Sequence, residues 1–128
     1  MYYNSKLIKG TKIAAIRPKV EDELKKEGFG VLNETDIQAT MKKKSDKDYL
    51  PPLILGACSP IYAQTVISIE PSINRILPCN VTLRELESGD VEIAIIDPYA
   101  AIGSGGNPNL TLPAKEVQEK LICFLKSV

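Results

Sequence analysis

The sequence predicts a single domain of mixed strands and helices over residues 1–128. Three observations carry that expectation. A hairpin pattern of period two runs from Cys79 to Asp97. A continuously apolar segment, Leu53 to Cys58, stands between prolines. Two stretches, one around residues 12–27 and one after Pro113, repeat apolar residues at spacings of three and four. A length of 128 residues suits one domain, and an apolar content of 44 % is enough for one core.

The elements follow in order. Residues 2–8 form a short first strand with Tyr3, Ser5 and Leu7 on one face. Ile13, Ile16, Val20 and Leu24 then share a helical stripe, with Thr11 as the expected N-cap and Gly28 just past the end. Pro18 interrupts this pattern, so the helix either kinks there or starts there. Phe29 to Glu34 reads as a strand, and Asp36 to Lys44 as a short helix capped by Asp36. Lys42, Lys43, Lys44 and Lys47 form a basic cluster that a solvated helix end explains.

Leu53–Cys58 has the look of a strand buried on both faces, with Gly56 allowing a close backbone approach. Ser59-Pro60 starts a helix, with Ser59 at the N-cap, and Pro71 ends it. Cys79, Val81 and Leu83 alternate with polar residues, as Val91, Ile93 and Ile95 alternate with Glu92, Ala94 and Ile96. Both sets belong on one face, and a three-residue turn at Glu87-Ser88-Gly89 satisfies this by placing Leu83 opposite Ile93 and Val81 opposite Ile95. Cys79 then lies opposite Asp97. Glu85, Glu87 and Asp90 form a solvated tip. Gly103 to Asn109 reads as a surface loop without the ending of a phosphate-binding P-loop. The last helix buries Val117, Leu121, Phe124 and Leu125, and Cys123 is expected in its core.

Composition excludes several functions. The chain has no histidine, so a His general base, a Ser-His-Asp triad and a His-rich metal site are impossible. Lys+Arg and Asp+Glu balance at 16 each, so no basic nucleic-acid footprint is expected. No apolar run approaches the roughly 18 residues of a membrane span, and no secretory signal core is apparent. Three cysteines without a CxxC are neither a disulfide framework nor a zinc ribbon. The expectation is a reduced cytoplasmic protein in which the three Asn-x-Thr triplets are chance.

The chemistry-bearing residues concentrate at strand ends. Cys58 ends a strand immediately before a helix start, where free amides and the helix dipole stabilise a thiolate. Cys79 begins another strand, beside Asn80 and opposite Asp97. Cys58, Ser59, Cys79, Asn80 and Asp97 are therefore the candidate ligand-binding residues, expected to surround one pocket. Two thiols and one carboxylate fall short of a structural zinc set, so no metal site is expected, and no catalytic residue or cofactor is assigned. Each thiol can equally be a small buried hydrophobe, and Asp97 a turn residue.

Several segments, in order, carry a resemblance: Gly28-Phe29-Gly30-Val31-Leu32, Thr35 to Lys42, Ile54 to Pro60, Leu77-Pro78-Cys79-Asn80-Val81 and Ile96-Asp97-Pro98. Spanning about Leu24 to Ala101, this succession resembles the domain of unknown function 302 family. The resemblance implies an α+β domain of the TATA-binding-protein-like type, with an antiparallel or mixed sheet and helices on one face. It also implies small prokaryotic homodimers, and it supplies no reaction.

Three functions are therefore expected to compete. The favoured one is a cytoplasmic, homodimeric module that binds a small molecule around Cys58 and Cys79. The second is a thiol-dependent redox enzyme or carrier using Cys58 with Cys79. The third is a structural interaction domain, for which an apolar patch near Ala94 and Ile96 would speak.

Overall fold

In the computed structural model, which describes residues 3–37, 52–75, 77, 79–103 and 107–128, five strands form one antiparallel sheet. They are β1 (Tyr3–Ile8), β2 (Gly30–Asp36), β3 (Leu53–Cys58), β4 (Cys79–Glu85) and β5 (Val91–Ile96). The spatial order is β1-β5-β4-β3-β2, so the first two strands of the chain are its opposite edges. Helix α1 (Ile13–Lys26) makes the crossing between them. Helices α2 (Pro60–Ile69) and α3 (Pro98–Gly103) lead to the long α4 (Thr111–Ser127), and short 3-10 turns occupy Pro71–Arg75 and Pro108–Leu110.

Alternation decides which face is covered. Leu55, Val81, Leu83, Val91, Ile93 and Ile95 point to one side, where they pack against Ile16, Val20 and Leu24 of α1 and Leu121, Phe124 and Leu125 of α4. The hairpin register places Val81 opposite Ile95 and Leu83 opposite Ile93, and the Leu86 amide donates to the Asp90 carbonyl at 2.8 Å across the turn. Both pairings follow from the sequence pattern.

The other sheet face carries no helix among the described residues, and β3 is not sealed on both sides: Ile54 is only half-buried. On that face the Asn33 side chain from β2 lies directly over Gly56 and covers it. Any Cβ at position 56 meets that amide. A register shift between Val31 and Asn33 accompanies this contact.

Local signals misplaced the start of α1. The helix runs through Pro18, and its N-cap is Lys12, without a side-chain capping bond. The cap comes from the hairpin instead: the Ile13 amide donates to Glu85 Oε1 at 3.1 Å. Asp90 likewise accepts from the Gly10 amide at 3.0 Å. Both carboxylates at the tip therefore tie down the β1–α1 connection rather than merely meeting solvent. At the far end of α1, Gly28 has φ 85°. The Gly28 and Phe29 amides donate to Lys25 and Leu24 carbonyls, and Phe29 is buried with Leu24.

The helix α3 was not anticipated. Asp97-Pro98 sets it up, with proline at the first position and the Ala100 amide donating to Asp97 Oδ1 at 3.1 Å. Cys123 also departs from expectation. It is exposed, because it lies on the far side of α4 from Leu121 and between the inward-pointing Leu121 and Phe124 positions. The expected helix beyond Ile37, the basic cluster at 42–47 and the centre of the 103–109 loop lie outside the described residues.

Candidate functional site

Two elements bring the candidate thiols together. β3 and β4 are neighbours, with Ala57 opposite Cys79, so Cys58 at the end of one strand lies diagonally across from Cys79 at the start of the other. Both line one apolar cavity of about 30 Å³. Its remaining wall is Phe29 from the end of α1, Tyr62, Ala63 and Val66 from α2, Leu77, Pro98, and Ala114 and Val117 from α4. That volume exceeds what one water requires, but an apolar lining gives a water no partners.

The other candidates separate from the thiols. Ser59 lines the cavity too. Asn80 does not: the alternation that turns Cys79 inward turns Asn80 outward, to an exposed position in a shallow depression on the open sheet face beside Tyr3, Thr82 and Ala94. Asp97 is close in sequence to the lining residue Pro98 but is committed elsewhere. One carboxylate oxygen caps α3, and the other accepts from Gln118 Nε2 at 2.8 Å. The pocket is thus built from Cys58, Ser59 and Cys79 without Asn80 or Asp97.

The thiols are electrostatically quiet. Burial pushes the Cys58 thiol above its ordinary value. Burial, and secondarily the charge Cys58 would carry, push Cys79 up to about 11. Both shifts run opposite to the lowering expected of a thiol at a helix start, so both sulfurs are protonated at neutral pH. Among the described residues, no group of three His, Cys, Asp or Glu side chains is placed to hold a metal ion.

An open groove of about 710 Å³ adjoins the cavity and shares Ser59 and Tyr62 with it. Pro60, Ile61 and Thr65 of α2 form one wall, and Leu112, Pro113, Glu116 and Lys120 of α4 the other, with Glu27 and Gly28 at one end. Tyr62 stands at the junction. Burial, and next the neighbouring Glu116 carboxylate, raise the pKa of its hydroxyl. Sequence reasoning missed Tyr62, Glu116 and Lys120. The available signal was periodicity: Tyr62 lies one helical turn after Ser59, and Glu116 and Lys120 share a face of α4.

No helix among the described residues is long and apolar enough to cross a membrane. No curated protein matches the chain. A crystal structure of an uncharacterized conserved protein DUF302 from Bacillus stearothermophilus is similar at 25 % sequence identity. The two agree with a TM-score of 0.90 over 99 % of this chain and 98 % of that one. The family model described as domain of unknown function DUF302 matches residues 6–128, and the chain therefore belongs to that family.

Proposed function

We propose that this protein is a small-molecule-binding module whose pocket is the cavity at the ends of β3 and β4 together with the adjoining groove. The observation that carries this reading is that Cys58 and Cys79, from separate strands, line one apolar hollow that meets a groove of ligand-sized volume. The hollow takes a small apolar group, and the groove takes the rest. Protonated thiols suit a soft, polarisable wall better than a nucleophile, which favours binding over the redox alternative. The free cysteines suit a reducing cytoplasm.

The test is a titration with 1-butanol followed by methyl NMR. Saturable shifts centred on Ala57, Ala63, Val66 and Val117 are expected. Shifts that are scattered, or that never saturate, contradict the pocket. The module is further proposed to pair with a second copy through the open sheet face, where Tyr3 and Leu7 are 40 % and 46 % exposed beside Ala94 and Ile96. Sedimentation equilibrium on the native chain and on Ile96→Asp checks this: a dimer that the substitution dissociates is expected, and a monomer in both cases rules it out.

A further inference from the structure

The cavity gathers two sulfurs and no other strong ligand group. Cys58 is the last residue of β3 and Cys79 the first of β4, and both line the hollow. Ala57 pairs with Cys79, so the two cysteines stand one strand apart and one residue out of step. A rise of about 3.3 Å along a strand and a spacing of about 4.8 Å between strands put their Cα atoms about 6 Å apart. Cysteines whose sulfurs are directly bonded have Cα atoms about 4.4–6.8 Å apart, so this pair is within reach of a common bridge. Proximity has an electrostatic sign as well: after burial, the charge Cys58 would carry is what raises the Cys79 pKa. No charged side chain among the described residues lines the cavity, and the chain has no histidine. Among the described residues no third Cys, Asp or Glu joins the pair.

These features set what a ligand of the pair must be. It must be soft, since its donors are sulfur. Two sulfurs must satisfy it, which rules out zinc with its four ligands. It must carry away the protons of both thiols, because no base lines the hollow, and leave a neutral product, because no charge there offsets another. Copper(I) leaves a negative bis-thiolate, and copper(I) and mercury(II) alike bring no base for the protons. We propose that Cys58 and Cys79 are a dithiol site for a monosubstituted trivalent arsenical, R–As(OH)2, in which R is a small alkyl group. Two S–H and two As–O bonds break and two As–S bonds form. Each thiol proton leaves with a hydroxide as water, and arsenic stays trivalent, so the step needs no oxidant or reductant. The product is neutral and matches the apolar wall of Phe29, Val66 and Val117. A hollow of about 30 Å³ restricts R to a group such as methyl.

This inference rests on the pocket reading, and one experiment separates the two. Methylarsonous acid, CH3As(OH)2, is titrated against the reduced native chain and read by intact-mass spectrometry and methyl NMR. One equivalent is expected to bind with the loss of two waters, the signature of a doubly bridged arsenic, and to shift the Ala57, Ala63 and Val117 methyls. Cys58→Ser should weaken binding about a hundredfold, since the second As–S bond forms within one complex. Cys123→Ser should leave it unchanged, because that thiol is exposed on α4. Affinity should be flat from pH 6 to 8, as the condensation exchanges no proton with solvent while both thiols are protonated. An adduct that has lost one water, binding insensitive to Cys58→Ser, or affinity that climbs with pH overturns the dithiol assignment. Any of these with 1-butanol still saturating the cavity methyls leaves the pocket reading standing. If 1-butanol leaves those methyls unmoved while the doubly bridged adduct forms, the pocket reading fails and the dithiol pair remains.

Discussion

Two hydrophobic clusters stabilise this molecule, and they are unequal. The larger joins the inner sheet face to α1 and α4, and its centre, including Val20, Leu24, Leu55, Leu83, Ile93 and Phe124, is sealed from solvent. The smaller consists of Val66, Ile73, Leu110 and Ala114, with Ile69 and Leu77 at its margin. The cavity lies on the seam. Ala57, Cys79 and Val117 belong to the first cluster, and Val66 and Ala114 to the second. The seam stays open because small side chains line it: Ala57, Ala63, Ala114 and two cysteines stand where leucines would fill the space. A candidate site thus arises where two well-packed units meet through residues too small to close the gap.

The strongest way to break this distinction is to perturb both clusters. Leu83→Ala should cost about 3–5 kcal/mol and destabilise the whole chain in a chemical denaturation. Val66→Ala should cost about 2 kcal/mol and accelerate hydrogen exchange mainly in α2. Equal costs, with exchange rising everywhere, would mean a single cooperative core and no seam.

Between these two in size is the response of Cys79 to alkali. Its folded-state pKa of about 11 exceeds the ordinary 9.0. Between those values the folded chain holds a proton that the unfolded chain releases, so raising the pH favours unfolding. The contribution is complete below about pH 9 and is lost as pH approaches 11, roughly 3 kcal/mol over the two units. Urea midpoints from pH 8 to 11 should fall in the native chain and flatten in Cys79→Ala. A native slope no steeper than that of the variant would place Cys79 in contact with water.

The smallest effect sharpens the contrast with the open sheet face. Gly56→Ala should cost about 1 kcal/mol, because the new methyl displaces the Asn33 amide. In an Asn33→Ala background that cost should vanish or reverse, since alanine suits a strand interior better than glycine. A cost unchanged in the double variant would locate the restraint in the backbone instead.

Much of the fold was legible because its signals are local. The β4–β5 register follows from period two and a glycine turn, and the β3-to-α2 junction from Ser59-Pro60 after an apolar run. The long-range caps were not legible: nothing near Thr11 reveals that the Ile13 amide donates to Glu85, 72 positions further along than Ile13. Two errors were avoidable. Period two already separates Asn80 from Cys79, and helical phase already turns Cys123 away from Leu121. Asp97 carried two readings, pocket acid or backbone-bonding residue, and only tertiary placement beside Gln118 decided between them.

The three cysteines supply the most direct test of whether two sulfurs share one binding hollow. Iodoacetamide labelling of the native chain, read by mass spectrometry with and without 1-butanol, reports each thiol separately. The alcohol should slow Cys58 and Cys79 with the same concentration dependence while exposed Cys123 is unaffected. Protection of neither pocket thiol, of one without the other, or of all three alike would contradict it.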